Sequence, residues 1–185
     1  MAEIRLVERR KLLDADGVEA KVFELAEQIA AHASKNPVGL VGIQTGGVHL
    51  ARRILERLEA MGLEKPHQGV LDITLYRDDI FLGLQQPLVR RTDIPFEVSG
   101  TDVILVDDVL YTGRTVRAAL DALVDFGRPR AIKLAVLVDR GLREYPIQAD
   151  WKGMTVDTIA SETVQVELTE MDAATDRVVV YERDD

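Results

Sequence analysis

The amino-acid sequence predicts an α/β fold, with a mostly parallel central sheet, helices on both of its faces and a small antiparallel appendage. Short apolar runs alternate with segments of helical periodicity as far as about residue 138, which is typical of strands joined by crossover helices. Glycine-containing turns follow two of these strands and open helices. Beyond residue 139 the pattern changes to short alternating and β-branched stretches, which favour antiparallel strands.

The N-terminal half predicts two helices and two strands. Apolar residues recur at helical spacing over 14–33, where Asp14 or Asp16 suits the N-cap position. The other predicted elements of this half are a buried strand at 38–44, a helix from Val48 to about Met61, and a strand at 70–76.

The C-terminal half begins with a long loop. Residues 77–97 contain few periodic apolar positions, and loops of that length in compact domains are usually functional or disordered. The elements predicted after it are a strand at 103–106, a helix at 115–126, a strand at 131–138, and two antiparallel strands at 163–168 and 177–181. Because the chain shows no internal repeat or linker composition, residues 1–185 are expected to form one domain.

The stretch 103–115 carries the most specific chemical signal. Four apolar residues end in the adjacent carboxylates Asp107 and Asp108, which on a strand would point to opposite faces. A turn with two threonines then opens a helix, so that free backbone amides, hydroxyl groups and the positive end of the helix dipole suit a phosphate. Carboxylates just before that turn suit sugar hydroxyls or a magnesium ion carried by a phosphorylated ligand. The pattern therefore indicates a ligand with a sugar and a terminal phosphate.

A second interpretation needs no ligand, because an acid pair at a strand end followed by a threonine cap is common in α/β proteins. The combination of apolar run, double acid, Thr-Gly-x-Thr turn and immediate helix favours the phosphate site. The stretch lacks the Gly-Lys-Ser/Thr of a Walker loop and the Gly-x-Gly-x-x-Gly of a dinucleotide site. In a parallel sheet, ligands collect beyond the carboxyl ends of the strands, and the segments expected there are 45–47, 77–79, 107–115 and 139–141.

The turn Tyr111-Thr112-Gly113-Arg114-Thr115 resembles the ribose-phosphate loop of type I phosphoribosyltransferases. Together with Leu71–Asp79 and Leu137–Gly141, it is similar to the PyrR family of pyrimidine-operon attenuation regulators and uracil phosphoribosyltransferases. The resemblance spans about 14–182. It implies a type I phosphoribosyltransferase fold with a small antiparallel hood at about 139–170. It also implies transfer of phosphoribose from phosphoribosyl pyrophosphate to uracil, giving UMP and pyrophosphate, with Mg²⁺ carried by the diphosphate substrate.

The resemblance also assigns roles to residues. It makes Thr45, Gly46 and Gly47 the pyrophosphate loop, although the family commonly has a basic residue where Gly46 stands. It makes Arg77 a loop cation that closes onto the pyrophosphate. The catalytic residues are then Asp107, Asp108 and Arg77, and the further substrate-binding residues are Tyr111, Thr112, Gly113, Arg114, Thr115, Val138, Asp139 and Arg140. The last three are expected to read the edge of uracil, and no protein metal ligand is expected.

Composition restricts the partners and the compartment. The formal net charge is −9, whereas a nucleic-acid-binding domain usually carries a basic patch or stripe. The chain has no cysteine, its three histidines lack metal-ligand spacing, and no apolar run approaches a membrane span. No signal-peptide core is seen near the N-terminus. A cytoplasmic protein with no membrane partner is therefore expected.

Two rival functions stay open at this stage. The family resemblance implies a homo-oligomer that also binds an mRNA leader. However, the first helix presents Glu19, Glu24 and Glu27, where the family often has arginine, threonine or histidine, and position 142 is leucine, where the family usually has histidine. RNA binding depends on cations that meet phosphates, so these residues speak against retention of that activity. The alternatives are a uridine-nucleotide-sensing RNA regulator with little catalysis, or a phosphoribosyltransferase for another base.

Overall fold

The computed structural model describes residues 5–33, 37–63, 66–78 and 90–184. In these ranges the strands are β1 (Arg5–Leu13), β2 (Val38–Ile43), β3 (His67–Leu71), β4 (Asp102–Leu110), β5 (Ala131–Asp139), β6 (Trp151–Thr155), β7 (Glu162–Glu167) and β8 (Arg177–Asp184). The α-helices are α1 (Ala15–Ala33), α2 (Gly46–Ala60) and α3 (Arg114–Val124), and short 3₁₀ helices occupy Thr74–Tyr76 and Thr169–Met171. No helix in the described ranges has the length and hydropathy to cross a membrane.

Five strands form a parallel sheet in the order β3-β2-β4-β5-β6. Strand β4 at its centre is apolar from Val103 to Val106 because both faces of the sheet are covered. Ile104 and Val106 pack among residues of α1 and α2, while Val103 and Leu105 pack among residues of α3. The predicted α/β class, with helices on both faces of a mostly parallel sheet, is confirmed.

A separate antiparallel sheet has the order β1-β8-β7. We call these three strands the hood. Val164 and Val166 of β7 and Val178 and Val180 of β8 join the same apolar cluster as α1 and α2, so the hood is packed onto the α/β core. The expected hood range of 139–170 contributes only β7 to this sheet, because β6 belongs to the parallel sheet and the other two strands come from the ends of the chain.

The structure corrects several element boundaries. Strands β1 and β6 were not among the predicted elements, and α2 begins at Gly46 rather than Val48. The strand predicted at 70–76 ends at Leu71, because Asp72 Oδ1 accepts hydrogen bonds from the Thr74 amide (2.8 Å) and hydroxyl (2.5 Å) and turns the chain into a 3₁₀ helix. Residues 79–89 of the loop predicted at 77–97 lie outside the described residues; beyond them, Asp93 forms a bridge with Val70 of β3.

Candidate functional site

A cavity of about 240 Å³ lies at the carboxyl end of β4 and the start of α3. We call it the first cavity. Its ten lining residues are Arg77, Asp107, Val109, Leu110, Tyr111, Thr112, Gly113, Arg114, Thr115 and Val116. The structure thus brings the predicted 111–115 turn together with one of the two predicted acids and with the cation of the long loop.

Backbone amides at the start of α3 are open to an acceptor. Gly113, at φ +92°, ends the turn in a left-handed conformation that favours glycine. The Arg114 amide makes a 3.3 Å hydrogen bond to the Thr112 hydroxyl. Among the described residues, no acceptor is found for the amides of Thr115 and Val116, which are the unsatisfied donors of a helix's first turn. Amides, threonine hydroxyls and the helix dipole therefore converge where a phosphate would be stabilised.

Asp107 supplies a carboxyl group to the same cavity. Asp107 is only 5% exposed. Burial, as the larger cause, and the charge of Asp108 raise the pKa of the Asp107 carboxyl well above its ordinary value. One of its oxygens accepts the Asp108 amide at 3.0 Å. The charge of Arg77 acts in the opposite direction on Asp107. A cationic ligand or a cation-bearing substrate that entered the cavity would favour the ionised carboxylate.

Arg114, although it lines the first cavity, is engaged by acids at its rim. Its guanidinium forms 2.6 Å ion pairs with Asp78 and Glu144 and lies 5.3 Å from the centre of the Tyr145 ring. These partners belong to the start of the predicted long loop and to the segment after β5. Arg114 therefore ties the α3 start to its surroundings, and an anion would have to compete for its charge.

The start of α2 is more tightly packed. A Cβ atom on Gly47 would lie 2.1 Å from the Val106 carbonyl oxygen, and one on Gly46 would lie 2.4 Å from Asp108 Oδ2. Glycine is thus required at 47 by close approach of the helix to β4. At 46 its smallness leaves room for the Asp108 carboxylate. Thr45 lies just before the helix and accepts a 2.5 Å hydrogen bond from Arg90.

The predicted uracil-edge residues Val138, Asp139 and Arg140 do not line the first cavity. Val138 is fully buried. The Asp139 carbonyl accepts the Val156 amide at 2.9 Å, and the Arg140 amide donates to the Leu110 carbonyl at 3.0 Å. These backbone groups would have to exchange partners to contact a base.

A second cavity, of about 360 Å³, lies between the β4 end and the hood. Its lining residues are Asp108, Val109, Val164, Gln165, Val166, Glu167, Met171 and Ala173. Asp107 and Asp108 therefore line different cavities, as the alternation of a strand requires, while Val109 lines both. Sequence reasoning missed the hood residues here, because the alternation of 163–168 indicates a strand but not which strand end it covers.

No group of three or more His, Cys, Asp or Glu side chains arranged to hold a metal ion is found in the described ranges. The carboxylates of Asp107 and Asp108 are nevertheless oxygen donors of the kind that Mg²⁺ prefers. Because they line different cavities, each offers a single carboxylate, which suits a magnesium ion that keeps most of its other ligands.

Comparison with known proteins gives consistent results at three levels. The phosphoribosyl transferase domain family matches residues 8–172. A bifunctional protein PyrR from Roseiflexus sp. (strain RS-1) is 51% identical over 172 residues, which cover 92% of this chain and 94% of the relative. The bifunctional protein PyrR of Bacillus velezensis is 48% identical over 176 residues, which cover 94% and 97%.

Solved structures extend the likeness to the fold. The hypoxanthine phosphoribosyltransferase of Trypanosoma cruzi matches with a TM-score of 0.71 at 18% identity, over 96% of this chain and 98% of that chain. A hypoxanthine-guanine phosphoribosyltransferase from Bacillus anthracis matches with a TM-score of 0.66 at 19% identity, over 85% and 88%. At such identities the likeness establishes the shared architecture alone.

Proposed function

Since the chain belongs to the phosphoribosyltransferase family, and within it to the PyrR proteins, we propose that it transfers phosphoribose from phosphoribosyl pyrophosphate to uracil. The products are UMP and pyrophosphate. The observation that carries the proposal is the first cavity, in which the α3 amides, the Thr112 and Thr115 hydroxyls and the buried Asp107 carboxyl face one space. This combination suits a ribose with a 5′-phosphate.

The 5′-phosphate is placed at the start of α3. There the Thr115 and Val116 amides donate to it, and the Thr112 and Thr115 hydroxyls add two more donors. Asp107, which lines the first cavity, is assigned to the ribose hydroxyls, and Asp108, on the other side of the β4 end, acts on the substrate at longer range. Mg²⁺ enters as part of the diphosphate substrate, where it neutralises charge on the leaving pyrophosphate.

Displacement at the anomeric carbon develops positive charge on the ribose ring. No protein nucleophile is needed, because N1 of uracil bonds to the anomeric carbon as the bond from that carbon to the pyrophosphate oxygen breaks, and the N1 proton passes to the departing pyrophosphate or to water. Asp107 and Asp108 stabilise the developing charge by electrostatics, and the phosphate contacts hold the ring in position. Arg77, at the first cavity, and the Thr45–Gly47 segment are assigned to the pyrophosphate side of the substrate.

Uracil is placed toward the second cavity, above Val109. That side chain contributes to both cavities, so a base joined to a ribose in the first cavity can reach the second. Valines of β7 offer an apolar surface there, and Gln165 offers an amide that can pair with the polar edge of a pyrimidine. This placement moves base recognition from the paired backbone at 138–140 to the hood.

The direct test is a pyrophosphate-release assay with phosphoribosyl pyrophosphate, Mg²⁺ and one base at a time. We expect turnover with uracil and little with hypoxanthine, adenine or orotate. Faster release of pyrophosphate with another base would make that base, rather than uracil, the substrate. No release with any of the four bases would contradict the proposal. For variants of the threonines that line the first cavity, T112V and T115V, the matched control in this assay is T101V, because Thr101 lies just before β4, at the opposite end of that strand from the cavity, and donates to the Glu97 carbonyl.

A regulatory function is the second candidate, because the relatives are named bifunctional. Two arginines after β5 are engaged inside the protein rather than presented to a ligand: Arg140 is 4% exposed, and Arg143 donates to Asp139 and to the Tyr111 carbonyl. On α1, Glu19 pairs with Arg57 and Glu24 with Lys21. A gel shift with the leader RNA of the chain's own operon, with and without UMP, tests this function; a UMP-dependent shift supports it.

A homo-oligomer is part of the same proposal. Leu75 and Phe126 are 70% and 45% exposed and line one cavity of about 190 Å³. Exposed apolar groups gathered in one place favour contact with another protein surface. Sedimentation equilibrium of the wild type and of an L75E variant measures whether a second copy covers them.

A further inference from the structure

The Arg140 side chain lies inside the molecule, although arginine is rarely buried without partners. Its residue is 4% exposed, and burial lowers the pKa of its guanidinium from the ordinary value. Among the described residues, its hydrogen-bond acceptors are neutral: Nε donates to the Thr158 hydroxyl at 3.0 Å, and Nη2 donates to the carbonyls of Ile159 (3.2 Å) and Glu162 (2.8 Å). The Thr158 hydroxyl donates back to the Arg140 carbonyl at 3.2 Å.

The remaining face of the guanidinium meets the Tyr111 ring. The guanidinium carbon lies 3.9 Å from the ring centre, within the range of a cation–π contact. Tyr111 lines the first cavity, while Glu162 begins strand β7, whose next residues line the second cavity. A single buried cation therefore joins the wall of one cavity to the edge of the other.

The geometry points to Arg140 as a positioning residue for nucleotide binding, acting through the Tyr111 ring rather than by contact with the ligand. It holds the ring against the first cavity and holds the turn that carries β7. Removal of the guanidinium frees the ring to adopt other rotamers. This inference rests on the proposed function, because the ligand whose affinity should respond is UMP.

Arg143 provides an internal comparison. It also holds Tyr111, but through the backbone: it donates to the carbonyls of Tyr111 (2.8 Å) and Ile147 (2.9 Å) and forms a 2.6 Å ion pair with Asp139. Its charge has an anionic partner, and among the described residues the cation–π contact with the Tyr111 ring comes from Arg140 rather than from Arg143. If Arg140 acts through the ring, substitutions of Arg140 and Tyr111 should be energetically coupled. Substitutions of Arg143 and Tyr111 should not be.

The test is a double-mutant cycle with UMP affinity as the readout, measured by titration calorimetry on the full chain. The variants are R140M, Y111L and the pair together, with R143M alone and with Y111L as the matched comparison. We expect R140M and Y111L each to weaken UMP binding about tenfold, and the double variant to be no weaker than Y111L alone. R140K, which keeps a cation but loses the planar fork, should recover part of the loss.

Two outcomes of the double-mutant cycle overturn the inference. One is unchanged UMP affinity in R140M; the other is a double variant about a hundredfold weaker than wild type, which would make the two side chains independent. The R143M and Y111L effects are expected to multiply. If R140M does not fold, R140K and T158V carry the test: R140K should weaken UMP binding and T158V, which spares the stack, should weaken it less.

A spectroscopic readout separates this inference from the proposed function. In a protein with labelled tyrosine rings, the Tyr111 signal is the one missing from Y111F. We expect R140K to shift that signal and T158V to shift it less, whether or not the wild type binds UMP. A wild type without UMP affinity whose Tyr111 signal responds in this way would contradict the proposed ligand but keep the positioning contact; a signal that R140K leaves unmoved would overturn the contact itself.

Discussion

The starts of α2 and α3 occupy equivalent places in the sheet but differ in what they leave open. Each follows the carboxyl end of a parallel strand, β2 or β4. At α3 the first turn borders a 240 Å³ cavity with hydroxyls and free amides. At α2 the glycines are pressed against Val106 and Asp108. The first turn of α3 therefore opens onto a cavity, whereas the first turn of α2 is packed against β4 and the Asp108 carboxylate, so a free phosphate is expected to prefer the start of α3.

The largest expected effect comes from filling the α2 start. G47A places a methyl group 2.1 Å from the Val106 carbonyl oxygen, which cannot move without disturbing the central strand. We expect a loss of about 3 kcal/mol or more in the free energy of unfolding, at the upper end of overpacking costs, measured by urea denaturation.

The matched control for G47A is G17A. Gly17 also lies in the first turn of a helix, α1, but its added Cβ would meet only the flexible Leu13 side chain and the Asp14 carboxylate at 3.1–3.3 Å. G17A should be neutral or slightly stabilising, since alanine is the better helix former. Equal stability of the two variants would show that α2 is not packed as described.

Removing the hydroxyls at the α3 start should abolish most phosphate affinity. Hydrogen bonds to a charged group are worth about 1.5–3 kcal/mol each, so T112V and T115V should each weaken ribose 5-phosphate binding by about tenfold or more. Calorimetry measures this, with T101V as the control at the other end of β4. Affinity that survives the double variant T112V/T115V would place the phosphate elsewhere.

Neutralising Asp108 tests whether its charge keeps anions away from the start of α2. D108N removes the negative charge next to Gly46, so inorganic pyrophosphate should bind about threefold to tenfold more tightly, as expected for one screened charge. Turnover should fall, because the same carboxylate is assigned to stabilise the positive charge that develops on the ribose ring. D121N, which makes the same charge change on the exposed surface of α3, is the control. Weaker pyrophosphate binding by D108N would contradict the comparison.

The smallest expected effect concerns the ion pairs between α2 and the segment that joins strands β7 and β8 of the hood. Arg53 of α2 binds Glu170 and Asp176, and its hydrogen bond lowers the pKa of Glu170 from 4.5 to about 2. Because this folded-state pKa is depressed, the stabilisation is fully present above about pH 4.5 and is lost as the pH falls toward 2.

The melting temperature of E170Q should therefore be lower than that of the wild type at neutral pH, and the two should approach each other between pH 4.5 and 2. E24Q serves as the comparison, because Glu24 pairs with Lys21 on an exposed helix surface and such pairs contribute little. A difference between wild type and E170Q that is independent of pH would show that Arg53 contributes by packing alone.

The sequence predicted the α/β sheet and the α3 start because both depend on local patterns. The run 103–106 is apolar on both faces, and the acid pair and Thr-Gly-x-Thr turn lie within a few residues of it. The structure adds that β4 continues through the acids to Leu110.

Two strands escaped prediction for physical reasons. Strand β1 lies at the edge of the hood and pairs only with β8, so most of its side chains face solvent and its apolar alternation is weak. Strand β6 is a five-residue edge strand with Gly153, whose missing side chain lets Leu137 and α1 approach. Both are defined by tertiary pairing rather than by local pattern.

The second cavity and the role of Arg140 also could not be predicted from the sequence. Val109 carries no chemical signal, and the hood residues that share its cavity are more than fifty positions away in the chain. The family resemblance assigned Arg140 to the uracil edge, but nothing in the sequence indicated that its guanidinium would lie against the Tyr111 ring. Long-range packing decides which polar groups at a strand end stay free.

The most direct test of the difference between the two helix starts is an NMR titration of the full chain with ribose 5-phosphate, following backbone amides. We predict that the amide signals of Gly113, Thr115 and Val116 shift strongly and saturate, while those of Gly46, Gly47 and Val48 shift little. Larger shifts at 46–48, or no saturable shift at 113–116, would contradict the assignment of the phosphate to the start of α3.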